Sequence, residues 1–296
     1  MRPRAAYRLW AVKPGSGAKM GQLVRVSGLA DGLPMTAASF IVTVYGDVVV
    51  PRGEVLWMGS LIAICARIGF SENLVRTAVS RLVAAGRLQG EREGRRSFYR
   101  LAPAARTEFA QVARLLYAPD LRPRGWLVLT APEVPDEIQR RFHMVRMGGE
   151  VWLAPDWGDL PPGTELVLRS EGNGLDRHPG LARFWDLSGV QARYDALLAR
   201  FGPLEEGGGG LAPPEALTAR LLLAHVYRGA LLRDPFLPEG ASPEGWSGGA
   251  ARALFRRLYL ALTPAAETEI AATLEDLAGP LPMRTEESDI RLNSLR

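Results

Sequence analysis

The alternation of apolar and polar positions changes character several times along the chain, and each change predicts an element. Residues 1–35 show little periodicity, with "KPGSGAKMG" and "DGLP" as loop chemistry. This segment is expected to be a flexible N-terminal extension, or the product of an upstream start codon with Met35 near the true beginning. Residues 36–50 predict a helix running into a β-branched stretch. In residues 56–68, Leu61, Ile64, Cys65 and Ile68 recur at three- and four-residue spacing, which predicts an amphipathic helix closed by Gly69.

The next helix, "SENLVRTAVSRLVAAG", has the clearest pattern. Ser71 is its cap, Glu72 sits where the helix dipole favours an anion, and Gly86 ends it. Leu74, Val75, Ala78, Val79 and Leu82 are predicted to form one buried face. The opposite face carries Asn73, Arg76, Thr77, Ser80 and Arg81, all able to hydrogen-bond a nucleic acid. Two short alternating strands follow, 87–89 and 97–101, around a charged turn closed by Gly94 and bearing Arg92, Arg95 and Arg96. A helix pair followed by a hairpin with an arginine tip predicts a winged helix-turn-helix over residues 36–102. Pro103 opens a linker helix, with Phe109, Val112, Leu115 and Leu116 periodic, in a segment taken to run to residue 124.

Beyond residue 124, strands are predicted at 125–130, 149–154 and 164–170, with a helix near 135–146. After Pro179 the period becomes helical: Leu181, Trp185, Leu187, Tyr194, Leu197, Leu198 and Phe201 lie on helical spacing. "EEGGGG" (205–210) reads as a hinge or loop, helices are expected at 214–232 and 248–277, and residues 280–296 as a frayed polar tail. The division is therefore 36–102, 103–124, 125–178 and 179–279 between an extension and a tail.

Charge sharpens this division. Residues 1–120 hold 17 Lys and Arg against 8 Asp and Glu, whereas residues 121–296 hold 19 against 24. A basic head on an acidic remainder points to a polyanion partner for the head. The single cysteine, Cys65, excludes an internal disulfide framework and a multi-thiolate zinc site. No apolar run reaches the roughly 18 residues that read as a membrane span, and "LWAV" is too short for a signal-peptide core. The cytoplasm is the expected compartment.

Other chemical motifs are weak. Gly245-Trp246-Ser247-Gly248-Gly249 matches G-x-S-x-G, but it follows a Pro/Gly loop where a nucleophile elbow needs a strand. "LRSEGNGLDR" lacks the third glycine of a dinucleotide loop, and Pro179 follows, so it reads as a turn. His143, His178 and His225 have no ligand-spaced partners. The expectation is a protein without metal or cofactor and without enzymatic activity.

Four stretches carry a family resemblance: "YGDVVVPRGEVLWMGSLI" (45–62), "VRTAVSRLVAAGRLQGEREGRRSFYRL" (75–101), "FWDLSGVQARYDALLARF" (184–201) and "YRGALLRDPFLPEGASPEGWSGGAARALF" (227–255). In this order they resemble the PaaX family of transcriptional repressors, regulators of phenylacetic acid degradation operons. The resemblance implies an α+β chain: a winged-helix N-domain, a small ferredoxin-like middle domain and a helical C-domain. It also implies a homodimer on double-stranded DNA, released by an aryl acyl-CoA such as phenylacetyl-CoA. Tyr227, Arg228, Arg233 and Trp246 are the cations and aromatics expected to meet that effector. The chain departs from the family in the middle, where only "APEVPDEIQRRFHMVRMGG" replaces a longer arginine-rich helix. The alternative expectation is an inducer-independent nucleic-acid binder or a metal-dependent nuclease built on the ferredoxin-like domain. Such a nuclease uses an aspartate at the end of the first strand, where this chain has Thr130 and Ala131, with Glu133 beyond Pro132.

Overall fold

The computed structural model describes residues 26–118, 122–170, 179–206 and 210–296. Helix α1 (Ala37–Val44) starts at a capping box in which Thr36 and Ser39 each accept the other's backbone N–H at 3.1 Å. The β-branched run after it stays helical, as a wide π-type turn (Tyr45–Val49) and a 3-10 turn (Val50–Arg52) ended at Gly53. Tertiary burial overrides strand propensity here, because Val44, Tyr45, Val48 and Val49 are completely enclosed.

Strand β1 (Val55–Trp57) takes the first residues of the segment expected to be helical, and α2 (Met58–Ala66) begins only after it. Helix α3 (Glu72–Ala84) is capped by Ser71, whose hydroxyl accepts from Leu74 N–H. Its Val75, Ala78 and Val79 are buried and Leu82 is half-buried. Leu74 departs from the expected buried face: at about 100° of rotation per residue it sits on the rim of that face, and it is 46% exposed. Strands β2 (Leu88–Glu93) and β3 (Arg96–Leu101) form an antiparallel hairpin longer than the alternation suggested, turning at Gly94 (φ 56°) and Arg95. β3 also pairs with β1, giving the order β1-β3-β2. Helix α4 (Pro103–Tyr117) follows directly.

A separate four-stranded sheet comprises β4 (Trp126–Thr130), β5 (Val145–Gly148), β6 (Val151–Pro155) and β7 (Leu166–Ser170) in the order β5-β6-β4-β7, every pair antiparallel. The helix expected over 135–146 is shorter, α5 (Asp136–Arg141), since His143 at φ 51° turns the chain so that Val145 pairs with Leu153. Side chains alternate across this sheet. Leu127, Leu129 and Trp152 pack with Ile138 and Phe142 beside α5, while Trp126 and Leu153 pack on Leu181, Trp185 and Ala241.

The remaining helices are α6 (Ser188–Glu206), α7 (Pro213–Leu231) and α8 (Gly248–Thr273). Of the glycine-rich hinge, residues 207–209 lie outside the described residues. The expected tail is folded: β8 (Glu275–Asp276) pairs with β9 (Gly279–Pro280), and α9 (Glu286–Leu295) starts at a second capping box. Leu281, Leu292 and Leu295 are buried, apolar anchors that offset the ordering of an otherwise polar segment. Likewise residues 26–35 are not a loose extension. Val26 and Leu29 are buried, and Arg200 Nη1 donates to Leu29 and Asp31 carbonyls at 2.8 and 2.9 Å.

One core runs continuously from Val26 through α1–α4 to α6–α9 and Leu295, whereas the four-stranded sheet has small cores of its own. The N-terminal head and the C-terminal helices are therefore one body, and α4 is packed within it rather than bridging two domains. No helix among the described residues is long and apolar enough to cross a membrane.

Candidate functional site

Burying Val75, Ala78 and Val79 turns the opposite side of α3 outward. Asn73, Arg76, Thr77, Ser80 and Arg81 are all exposed, as expected from the sequence. Arg76 pairs with Glu72 at 2.8 Å one turn earlier, an exposed contact worth about 0.3–0.5 kcal/mol that a competing anion displaces cheaply. Thr77, rather than Ser80, spends its hydroxyl on its own helix, donating to Asn73 O at 2.8 Å. The outward surface thus combines guanidinium forks, an amide and a hydroxyl with the apolar side chain of Leu74. These are donors for guanine and phosphate, an amide suited to adenine, and a methyl-bearing surface for thymine.

In the β2–β3 hairpin, Arg95 is exposed at the tip, and exposed Arg92 donates through Nε to Gly94 O at 3.3 Å. Arg96 does not share that freedom. Its guanidinium lies 4.0 Å from the Trp57 ring centroid and pairs with Glu275 of β8. The register explains this: Arg96 opposes Glu93 at the start of β3, on the side where β1 and β8 adjoin. Arg96 thus fastens the hairpin to the helical body.

That fastening is one of several. Asp47, in the π-type turn, accepts from Tyr117 OH at 2.8 Å, Tyr259 OH at 2.7 Å and Arg220 Nε at 3.1 Å, all buried. The four side chains come from the head, α4, α8 and α7. Burial opposes the Arg220 charge, but Asp47 and the tyrosines beside it hold its pKa above the ordinary value. Burial pushes the Tyr117 and Tyr259 hydroxyls up, which keeps them as donors. Around this node, Arg52 donates to the carbonyls of Pro282 and Met283 at 2.9 Å each, Arg291 donates to Gly46 O at 2.7 Å, and Arg67 pairs with Glu269 at 2.5 Å. The head that carries α3 is therefore tied at several points to the C-terminal half of the chain.

The residues expected to meet an effector are not brought together. Tyr227 is buried, stacked on Phe255 with ring centroids 4.3 Å apart. Helical phase carries Arg228 toward α1, where Nη2 donates to Ser39 O at 3.0 Å. Arg233, past the end of α7, is exposed and bonds Gly229 O at 2.7 Å. Only Trp246 lines a sizeable cavity, of about 720 Å³. It opens between the start of β4 and the segment from Asp234 into α8, with Arg122, Arg124, Trp126, Phe236 and Arg252 on its walls.

Ser247 of the G-x-S-x-G match donates to Asp195 at 2.5 Å and accepts from Gln191 at 2.8 Å, in a turn rather than after a strand. Burial pushes His143 and His225 down to about 4, His225 also feeling Arg228, so both are neutral at pH 7. His225 Nδ1 is 2.9 Å from Thr43 Oγ1, another tie between α7 and α1. Among the described residues no three His, Cys, Asp or Glu side chains gather as a metal-ligand cluster. His178 and the glycines of "LRSEGNGLDR" lie outside the described residues.

Residues 36–105 match the PaaX-like protein family, and residues 185–272 match the PaaX-like protein C-terminal domain. The transcriptional repressor PaaX of Escherichia coli (strain K12) is 30% identical over 283 residues, spanning 85% of this chain and 88% of its own length. The chain belongs to the PaaX family. A solved structure, the uncharacterized protein Rv0674 from Mycobacterium tuberculosis, covers 79% of this chain and 98% of its own at 20% identity, with a TM-score of 0.46. The two matched stretches of the PaaX family contribute to the single large core, and the four-stranded sheet falls between them. Sequence reasoning missed Asp47, Leu74 and the arginines of the cavity. Asp47 had a readable signal, being the sole charge in "SFIVTVYGDVVV", where a buried acid needs partners. Arg122 and Arg124 had none, because the spatial approach of "RPRGW" to α8 is set by the fold alone.

Proposed function

We propose that this chain is a transcriptional repressor that binds double-stranded DNA through a winged helix-turn-helix. Helix α3 reads the major groove, and the hairpin tip at Arg92 and Arg95 contacts the backbone. The observation that carries this reading is the exposed face of α3, with Asn73, Arg76, Thr77, Ser80 and Arg81 clear of the core. The succession α1-β1-α2-α3-β2-β3, with sheet order β1-β3-β2, supports it. So does membership of a family whose Escherichia coli relative is named a transcriptional repressor.

In the fuller form of this reading, the repressor is a cytoplasmic homodimer controlling an operon for phenylacetate-type aromatic catabolism, and an aryl acyl-CoA releases it. The middle sheet is a ferredoxin-like unit in which a loop replaces the second crossover helix, as its strand order suggests. The nuclease alternative is not favoured: β4 ends at Thr130, Ala131 and Pro132 follow it, and the first acid is Glu133.

A retardation assay on DNA upstream of the gene tests the reading. The expected result is a shifted, uncleaved band in the presence of magnesium. Arg76→Ala is expected to weaken specific binding by about 1–3 kcal/mol and to relax preference at one base pair. Equal operator affinity of variant and wild type would remove Arg76 from the interface, and cleavage of the duplex would overturn the repressor.

A further inference from the structure

We propose that Leu74, with the methyl of Thr77 beside it, seats the C5-methyl of a thymine and so fixes one T·A pair of the operator. This rests on the DNA-binding reading above and adds to it a residue that recognises a base without a hydrogen bond. A lone exposed leucine is ordinary, because apolar atoms make up much of any protein surface. What singles out Leu74 is its place in the helix, its neighbour and the donors on either side.

Leu74 is the third residue of α3, and its N–H is bonded to the Ser71 cap at 3.4 Å. A recognition helix brings its N-terminal residues to the base edges. Val83, the other exposed large apolar side chain of α3, lies nine residues on, about 13 Å along the axis and near the far end. Only Leu74 is therefore placed where bases are read.

Thr77 follows three residues later, so its side chain adjoins that of Leu74 on the helix surface. Its hydroxyl donates to Asn73 O at 2.8 Å. With that hydrogen committed inside the helix, the group that Thr77 has to offer a base is its methyl. Both residues are exposed, so together they form an apolar step open to solvent.

At about 100° per residue, Asn73, Thr77, Arg81 and Leu74 follow one another around the helix within about a quarter of its circumference. In the major groove an amide fits adenine, a guanidinium fits guanine, and thymine is the base that carries a methyl. An apolar step bordered by Asn73 and Arg81 therefore matches a thymine whose neighbours those two donors read. Cytosine in its place loses the methyl and brings an amino donor that Leu74 cannot accept.

The test compares the upstream DNA fragment made with thymine and the same fragment made with uracil throughout, which removes only the C5-methyl groups. Retardation by the full wild-type chain is expected to weaken about fourfold for each methyl lost from an apolar contact, the worth of one buried carbon. In Leu74→Ala the thymine fragment is expected to bind more weakly and the gap between the two fragments to shrink. Adding Thr77→Ser, which keeps the hydroxyl and removes the methyl, is expected to narrow the gap further. Any change that uracil makes to the DNA itself is common to all variants and cancels in this cycle. Leu74→Met keeps an apolar side chain and is expected to retain the preference for thymine. The salt slope is expected to be the same throughout, because an apolar contact releases no counterions. Urea denaturation checks that each variant is folded, and Thr77→Ser alone gives the same reading should Leu74→Ala unfold. Equal binding of wild type to both fragments would overturn the methyl contact and leave DNA binding standing. So would an unchanged gap in the Leu74→Ala, Thr77→Ser double variant, since the methyl groups would then be met elsewhere. If wild type retards neither fragment, the DNA-binding reading fails and this contact fails with it.

Discussion

Three arginines close in sequence in the hairpin have different physical positions. Arg95 projects from the tip, Arg92 folds back onto Gly94, and Arg96 is held between the Trp57 ring and Glu275. A solvated guanidinium can exchange water and counterions for a phosphate, whereas a stacked and ion-paired one must first give up its present partners. Arg95→Ala is therefore expected to lower affinity almost uniformly across DNA sequences and to reduce the salt slope by about 0.9 for the lost phosphate contact. Arg96→Ala is expected to leave that slope alone and to cost about 1 kcal/mol of stability, through the lost cation–π and ion-pair contacts. Salt-dependent retardation and urea denaturation of both variants separate the two roles. Leu74 makes the same point from the apolar side, since a position with perfect core spacing is left on the rim and joins the exposed face of α3.

Among the elements, α7 is unusual in being enclosed without a break from Ala216 to Leu223 and Ala224, which places Arg220 where no water can reach it. A helix stretch buried on every side needs partners on every side, and the charge inside that enclosed stretch needs a counter-charge. Asp47 meets that need from the π-type turn, with Tyr117 and Tyr259 filling its remaining acceptor positions. Removing one member of a buried pair leaves the other uncompensated. Arg220→Ala is expected to destabilise the protein by about 3–5 kcal/mol in urea denaturation, and Asp47→Ala by a similar amount. Replacing both with apolar residues of similar volume is expected to recover much of the loss. An Arg220→Ala cost below about 1 kcal/mol would show that the node contributes little.

At the scale of the whole molecule, the head is not a module on a tether. Phe40, Val44 and Val48 of the head share a core with α7, α8 and α9, and Arg52, Asp47 and Ser39 are bonded to that side. A fragment of residues 36–102 is therefore expected to expose this apolar face and to aggregate or remain unfolded, while the full chain melts its head and helices in one transition. Circular dichroism of the fragment, with coincident melting monitored by two probes in the full chain, checks this. A stably folded fragment would mean that the shared core is dispensable to the head.

The sequence alone was enough to place the helix that carries the exposed Asn73, Arg76, Thr77, Ser80 and Arg81, its Ser71 cap, the hairpin behind it, and most strands of the middle sheet. These features are local: caps, turn glycines and periodicity act within a few residues and leave their mark in order along the chain. The tertiary structure decided what depends on residues far apart in sequence. It drew Val50 and its neighbours into helical turns, and it folded a polar tail because Leu292 and Leu295 had a core to enter. It sent Arg228 to α1 and left Arg233 outside, while bringing Arg122 and Arg124 within one cavity with Arg252, more than 120 residues away. Which cations meet around a cavity is fixed by the packing of cores, and packing depends on every element at once.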